Sequence, residues 1–411
     1  MSVRKRTWTT GKGEKREAWV VDYFDAEGTR RLKTFPRQKD ARDWRDRLGV
    51  ELQDGVHVPE RASRSVGEAG KKWLASCIAN GLERSTTAAY RNHLDLHIAP
   101  FLGDKLLTKI TVPVVRAFED KLREEGRSPA MVKRVLSSLG AIIADAMERG
   151  EAAHNAVREM KQGRGAKKRR QEQRHAETLE IGKDIPTPAE IKAFLAAGEP
   201  KWKPVLMTAA FSGLRASELR GLRWSDVDLS ALEIHVRQRA DRFNAIGSPK
   251  SKGSRRMVKI GPALAQVLRE WKLVCPRRET GEVDEAGNKV KVLDFVFPNG
   301  AGKIESHANL VNRALIPAMI AAGVTLPGEG VDEAGKPKLK AKFTGLHCLR
   351  HFYASWCINP VAAGGMGLTL KEVQQRMGHA SIQMTSDRYG HLFPRTDEGA
   401  EIEAAERALL G

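Results

Sequence analysis

A charged segment that is poor in apolar residues divides this sequence in two. Residues 163–182 read GRGAKKRRQEQRHAETLEIG, with almost no apolar side chain before Leu179. Such a stretch cannot build a core and is typical of a flexible linker, which we place at 163–184. A linker that crosses a DNA backbone and a merely solvated tether would look the same. The segment carries six closely spaced cations: Arg164, Lys167, Lys168, Arg169, Arg170 and Arg174.

Residues 1–60 are predicted to form a small separate domain, a three-stranded sheet covered by one helix. Two β-prone runs, EAWVVDYFD and TRRLKTF, flank a turn at Gly28, which predicts a hairpin. In the following RQKDARDWRDRLGVELQDG, apolar residues recur at helical spacing from Ala41 through Trp44 and Leu48 to Leu52. The Arg and Lys residues of this region fit a DNA-contacting surface and a solvated face equally well.

Residues 65–162 are predicted to be helical throughout. One helix is expected to start at a Ser85 cap and to stop near Pro100. Another is expected to begin after Ser128, with Pro129 in its first turn, and to end before Gly150. The second helix has the apolar stripe of a core-facing helix: Val132, Val135, Leu139, Ile142, Ile143 and Met147.

Residues 185–395 are predicted to form a mixed α/β domain. Helical patterns dominate, but LEIHVRQ and RRMVKI read as strands that flank a polar turn with Lys250 and Lys252 near its tip. Two further stretches, GEVDEAGNKVK and GEGVDEAGKPKLK, share VDEAG, which indicates repeated turn chemistry in two insertions. The final segment, 396–411, is predicted to be an amphipathic tail helix. The expected fold class is thus multidomain and mostly α, with small β-sheets.

Charge and cysteine usage narrow the classes of function. The 411 residues carry a net charge of +19, which favours a polyanionic partner such as nucleic acid, although solubility alone would also explain it. The four cysteines form no CxxC pair, and no GxxxxGK[ST] loop is found, so a disulfide framework and ATP hydrolysis are not expected. No secretory signal and no apolar run of membrane-spanning length are found, so a cytoplasmic protein without a membrane partner is expected.

The segment LHCLRHFYAS holds two residues suited to chemistry. His347 and Arg350 lie three residues apart and share one helical face. His347 and His351 have the spacing of a zinc-binding helix, but Cys348 stands where the glutamate base of a metalloprotease would be. We therefore predict no metal site.

Three other segments complete a set of polar candidates. Arg215 precedes the helix ASELRGLRW and is placed to address an anion, with a salt-bridged surface arginine as the plain alternative. His379 follows a helix that begins at the capping box TLKE, and Tyr389 lies about ten residues later. With the hairpin lysine, these residues suit in-line attack on a phosphodiester. Two arginines would stabilise the transition state, the tyrosine would attack, and the lysine would protonate the leaving oxygen.

This set of motifs closely resembles the tyrosine recombinase family, the phage-type integrases related to bacteriophage lambda integrase. TAAFSGLRASELRGLRWSDVDL resembles the first arginine box, with Glu218 as the acidic residue near Arg215. SPKSKGSRRMVKI resembles the lysine hairpin, in which Lys250 is preferred over Lys252 because it follows Pro249. LHCLRHFYAS resembles the HxxR box, through His347 and Arg350. MGHASIQMTSDRYGHL resembles the last box, with His379 as the second histidine and Tyr389 as the nucleophile.

The resemblance implies a mechanism and a set of partners. Tyr389 would form a 3′-phosphotyrosyl link and free a 5′-hydroxyl, without ATP or a metal cofactor. Residues 1–60 would bind arm-type DNA sites, and residues 65–162 would be the SAM-like domain that binds core-type sites. A homotetramer on DNA is implied, with a host DNA-bending protein and a directionality factor as possible helpers.

Two alternatives stay open at this point. One is an enzyme of the same chemistry that relaxes DNA, as type IB topoisomerases do. The other is a DNA-binding regulator that has lost catalysis. The leading hypothesis is a site-specific recombinase that integrates and excises a phage or another mobile element.

Overall fold

The computed structural model describes residues 1–411 except 12, 26–27, 54–56, 60–62, 163–177, 250–251, 286, 332–334, 336, 395–397 and 411. The chain divides into two compact units, Met1–Ala176 and Glu177–Gly411. Most of the expected linker, 163–184, lies outside the described residues. No helix of the described residues is long and apolar enough to cross a membrane.

The first unit begins with an antiparallel sheet of order β1-β2-β3. Val20 and Val21 on the central strand are buried, as are Ala41 and Leu48 on the helix that covers the sheet. Trp44 of this helix packs edge-on against Tyr23, with ring centroids 5.4 Å apart. The predicted sheet and helix are thereby confirmed, with these bounds: β1 Ser2–Thr9, β2 Lys15–Phe24, β3 Arg30–Phe35 and α1 Gln38–Gln53.

The rest of the first unit is helical around one apolar core. Ser128 caps its longest helix and accepts from the backbone N–H of Met131, with Pro129 in the first turn as predicted. The Ser85 cap is wrong, because the helix already begins at Arg84 after Glu83. The chain also stays helical past Pro100. A π-helical turn at Leu94–Ile98, in which the Ala99 N–H donates to the Leu94 carbonyl, shifts the hydrogen-bond pattern directly before the proline. The helices are α2 Val66–Ala79, α3 Arg84–His93, α4 Ala99–Leu102, α5 Val112–Glu124, α6 Pro129–Glu148 and α7 Ala156–Gln162.

The second unit packs helices around a small antiparallel sheet of order β4-β5-β8. Ile234 and Val236 of the central strand point into the core, as the alternation predicts. Leu232 instead lies in the preceding turn with φ +56°, outside the strand. The strands of this sheet and of the short pair inserted in it are β4 Val227–Asp228, β5 Glu233–Val236, β6 Arg239–Ala240, β7 Ile246–Gly247 and β8 Arg256–Lys259.

Each of the two predicted insertions forms a two-stranded hairpin: β9 Arg278–Val283 with β10 Lys289–Val292, and β11 Thr325–Val331 with β12 Pro337–Ala341. The helices of this unit are α8 Pro188–Ala197, α9 Lys203–Ser212, α10 Ala216–Gly221, α11 Pro262–Val274, α12 His307–Asn309, α13 Ile316–Ala321, α14 His347–Ile358, α15 Leu370–Met377, α16 Ile382–Tyr389 and α17 Glu398–Leu410. The last of these falls in the segment predicted as the tail helix.

Candidate active site

The site begins where α9 ends in a left-handed turn. Gly213 has φ +62°, and a Cβ there would lie 2.3 Å from the Tyr353 ring, so only glycine fits. The tight turn places Arg215 directly before α10. The carbonyl oxygen of Gly213 also faces α14, where Arg350 donates a hydrogen bond to it.

Arg215 is held by a buried carboxylate. Its Nη1 lies 2.7 Å from Oε1 of Glu218, and its backbone N–H donates to Oε2 over 2.9 Å. Arg256, on β8, donates to Oε2 of the same carboxylate over 3.0 Å. Glu218 is 2% exposed, so this carboxylate fixes two guanidinium groups inside the protein.

Arg350 and His347 come from the first turn of α14. Arg350 is 2% exposed and donates to the carbonyl oxygens of Gly213 and Met377. His347, three residues earlier, is exposed. The arginine is thus built into the structure, while the histidine lies at its surface.

A second helix end completes the pocket around the guanidinium groups of Arg215 and Arg350, which we call the arginine pocket. Thr369 and Glu372 form the predicted capping box of α15, and the helix ends at Gly378, whose φ is +60°. Met377 and Gly378 present their carbonyls to Arg350 and Arg215, the latter over 3.0 Å. The same turn carries His379, which is buried and bonds through Nδ1 to the Thr385 hydroxyl at 2.9 Å.

Tyr389 is the last residue of α16 and is only 2% exposed. Its ring lies parallel to that of His379, with an interplanar angle of 3° and centroids 6.1 Å apart. Its hydroxyl lies 2.8 Å from Nδ1 of His351. The structure therefore brings Arg215, Glu218, Arg350, His379 and Tyr389 into one network, with His347 at its edge.

The structure describes part of the segment that carries the hairpin lysines. Lys250 lies outside the described residues, and Lys252 begins a short 3-10 turn that ends at Ser254. The Ser254 hydroxyl is 3.4 Å from Nη1 of Arg215. The backbone of this hairpin therefore returns to the arginine pocket directly after the lysine segment.

Residues 186–395 match the model of the phage integrase family, and residues 66–123 match the N-terminal SAM-like domain of phage integrases. The first match spans more than half of the chain. The chain belongs to the phage integrase family. It is a tyrosine recombinase, an enzyme that cleaves and rejoins DNA at specific sites and acts on mobile elements.

Relatives of this integrase share its length and fold. The ICEBs1 integrase of Bacillus subtilis is 24% identical over 383 residues, which cover 90% of this chain and 91% of the relative. The Tn1549 transposon integrase, solved with transposon right end DNA, is 18% identical with a TM-score of 0.60, covering 84% of this chain and all of that one. A lambda integrase, solved as a tetramer bound to a Holliday junction, is 16% identical with a TM-score of 0.50. The match covers 92% of this chain and 96% of the lambda integrase chain.

Burial and charge set the protonation of the integrase site. Burial raises the pKa of Tyr389 to about 12, although Arg350, Arg388 and Arg215 act to lower it. Burial and then the charge of Arg350 lower the pKa of His379 to about 4. In this state the tyrosine is a neutral phenol, and the arginine charge does not outweigh its burial.

Glu218 stays ionised for the opposite reason. Burial acts to raise its pKa, but the cations Arg256 and Arg215 outweigh that effect and bring the pKa below its usual value. A carboxylate is therefore present between the two guanidinium groups at neutral pH.

Sequence reasoning missed two residues of this network. Arg256 is the second arginine of GSRR, and nothing in that pattern distinguishes it from its neighbour Arg255. His351 was considered only as a metal ligand. Among the residues that the structure describes, no cluster of three or more His, Cys, Asp or Glu side chains is arranged to hold a metal.

Proposed function

We propose that Tyr389 is the nucleophile of this recombinase and that Arg215 and Arg350 bind the scissile phosphate. The observation that carries the proposal is that both guanidinium groups converge on the backbone of Met377 and Gly378, next to the histidine that stacks on Tyr389. Their partners there are carbonyl oxygens, which a phosphate oxygen of higher charge can replace. Glu218 orients Arg215 for this exchange.

The chemistry follows from where charge develops. As the Tyr389 oxygen attacks phosphorus, its phenol proton passes to solvent. The negative charge that builds on the nonbridging oxygens is stabilised by the two guanidinium groups. His347 and His379 would add hydrogen bonds to these oxygens. The 5′ oxygen leaves as the P–O bond breaks and takes a proton from the hairpin lysine, Lys250 or else Lys252.

The product is a 3′-phosphotyrosyl ester with a free 5′-hydroxyl on the other DNA end. The ester conserves the energy of the original phosphodiester, so a 5′-hydroxyl from a second duplex can attack it without ATP. This exchange, carried out twice, integrates or excises an element. It requires two duplexes, which favours a tetramer of the integrase on DNA.

The remaining parts of the chain take DNA-binding roles in this proposal. The sheet and helix of residues 1–60 would bind arm-type sites, and the helices of 65–162 would bind core-type sites beside the catalytic domain, 185–395. The segments 163–184 and 396–411 would serve as linker and as tail helix. A DNA-bending protein and a directionality factor of the host or element would assist in the bacterial cytoplasm.

The test is covalent trapping on nicked DNA from the regions that flank this gene. Wild type is expected to give a protein–DNA adduct on a denaturing gel without added metal, whereas Tyr389→Phe binds the same DNA and gives none. An adduct with Tyr389→Phe would refute the role of Tyr389. DNA binding without any adduct, even with host extract added, would favour a regulator. Relaxation of supercoiled DNA without joining of two duplexes would favour a topoisomerase.

A further inference from the structure

His351 makes the closest polar contact of the Tyr389 hydroxyl. It lies in α14, one residue after Arg350, and its Nδ1 is 2.8 Å from the phenol oxygen. His351 is 6% exposed and Tyr389 is 2% exposed, so water does not compete for this hydrogen bond. The bond joins two helices that lie 38 residues apart in the chain.

The direction of this hydrogen bond depends on the charge and the tautomer of the imidazole. Burial, His347 and the cations Arg388 and Arg350 lower the pKa of His351 to about 3. The ring is therefore neutral at neutral pH, and a neutral imidazole with its proton on Nε2 accepts at Nδ1. In this tautomer the phenol donates to His351, which gives its buried O–H proton an acceptor.

Two histidines thus restrain Tyr389 from two directions. His379 lies parallel to the phenol ring and limits its tilt, while His351 fixes the direction of the hydroxyl. His351 is itself packed edge-on against His347, with ring centroids 4.5 Å apart. His347 therefore supports His351, which in turn holds the proposed nucleophile Tyr389.

We propose that His351 is a positioning residue that orients the hydroxyl of Tyr389 for attack on the DNA phosphate. The proposal rests on the proposed role of Tyr389 as nucleophile. In-line attack requires the oxygen, the phosphorus and the leaving oxygen to be aligned, and a displacement of 1 Å costs about 100-fold in rate. A tyrosine whose buried hydroxyl has lost its acceptor turns away to find another partner.

Three substitutions distinguish a loss of orientation of the Tyr389 hydroxyl from a general loss of structure. His351→Leu removes the acceptor at similar volume. His351→Asn keeps one, because the amide oxygen of asparagine falls near the position of Nδ1. His391→Leu is the matched control, since it makes the same chemical change two residues after Tyr389 and removes a 2.8 Å bond to the Leu179 carbonyl.

The first readout is the single-turnover rate of adduct formation on the nicked flanking DNA, with DNA affinity measured in parallel. We expect His351→Leu to be slower by about 10- to 100-fold at unchanged affinity. His351→Asn should stay within about threefold of wild type, as should His391→Leu, because the hydroxyl keeps an acceptor in both. A wild-type or faster rate in His351→Leu would overturn the proposal, and so would a His351→Asn variant as slow as His351→Leu.

The second readout needs no DNA. The chain has four tyrosines, so protein labelled with ¹³C at tyrosine Cζ gives four signals, and Tyr389→Phe identifies the one from Tyr389. His351→Leu should move this signal, and His351→Asn should return it toward wild type, while those of Tyr23 and Tyr90 stay in place. An unmoved Tyr389 signal in His351→Leu would overturn the proposal.

The two proposals fail in different ways. If Tyr389→Phe still forms the adduct, the proposed nucleophile is wrong whatever the His351 variants do. If Tyr389→Phe is inactive while His351→Leu reacts at the wild-type rate, only the positioning role of His351 is lost.

Discussion

At the scale of single residues, the site depends on one buried carboxylate. Glu218 carries a negative charge between Arg215 and Arg256, and its side chain is 2% exposed. Removing one partner of a buried ion pair leaves a buried charge uncompensated, which costs far more than the loss of a surface pair. Glu218 therefore couples the stability of the catalytic unit to the orientation of Arg215.

We predict that Glu218→Gln lowers both stability and cleavage. The free energy of unfolding should fall by about 3 kcal/mol, because Arg256 stays buried without a counter-charge. Adduct formation should slow at least tenfold, because Arg215 loses the group that orients it. Denaturant unfolding and the trapping assay measure the two effects.

Glu233→Gln is the matched control for this prediction. Glu233 pairs with Lys259 at 2.6 Å, but the lysine side chain is 55% exposed. The variant should lose less than about 1 kcal/mol and should cleave like wild type. If Glu218→Gln behaves like Glu233→Gln, the buried network does not hold the site together.

The protonation of His379 makes a prediction about acid stability. Its folded pKa of about 4 lies below the ordinary value of 6.5, so below pH 6.5 the unfolded chain binds a proton that the folded protein does not. The stability that the neutral ring contributes is present above pH 6.5 and is lost as the pH falls toward 4. The loss amounts to about 3 kcal/mol at most.

His379→Asn removes this titration. Denaturant unfolding between pH 7 and pH 4 should show a shallower decline for the variant than for wild type. His351, whose pKa is lowered to about 3, acts in the same direction and keeps some decline in the variant. Equal declines would show that the folded protein protonates His379 freely.

At the scale of elements, the site is assembled from the ends of helices. Gly213 and Gly378 end α9 and α15 in left-handed turns, and their carbonyls accept from Arg350 and Arg215. These turns fix the arginines more firmly than loops would, since each is anchored by a packed helix. A substitution at either turn should therefore change the rate of DNA cleavage.

We predict that Gly213→Ala destabilises the second unit by about 3 kcal/mol, from left-handed strain and a clash with the Tyr353 ring. Gly364→Ala is the control, because Gly364 has φ +77° but nothing within 4 Å of the added Cβ. It should lose only about 1 kcal/mol. Equal losses in the two variants would show that the contact with Tyr353 does not matter.

Local patterns predicted the elements well and their contacts less well. The Ser128 cap, the Thr369 capping box and the buried face of β5 follow from spacing alone, because each depends on residues two or three positions apart. The helix through Pro100 was not foreseen, since packing of Ile98 and Leu102 in the core favours its continuation over the local stop signal.

In the candidate active site, too, the sequence predicted the residues better than the contacts between them. The motifs predicted Arg215, His347, Arg350, His379 and Tyr389 as candidates, and the structure brings them together. The contact of His351 with Tyr389 spans 38 residues, and that of Arg256 with Glu218 also spans 38. No periodic pattern in the sequence encodes a tertiary contact of this kind.

At the scale of the whole molecule, the net charge of +19 determines how binding responds to salt. Each phosphate neutralised by Lys or Arg releases counterions, so DNA affinity should fall by about 1000-fold or more between 50 and 200 mM salt. Tyr389→Phe should show the same slope, since neither side chain is charged at neutral pH. Titrations at four salt concentrations would check this, and a flat response would contradict electrostatic binding.

The central claim of this account is that Tyr389 becomes covalently attached to DNA, and mass spectrometry of the trapped adduct tests it most directly. After nuclease and trypsin digestion, we predict one modified peptide, carrying a nucleotide joined through its 3′ phosphate to Tyr389. The released DNA end should carry a free 5′-hydroxyl, which polynucleotide kinase labels without prior phosphatase treatment. A nucleotide on any other residue, or a 5′ linkage, would contradict the account.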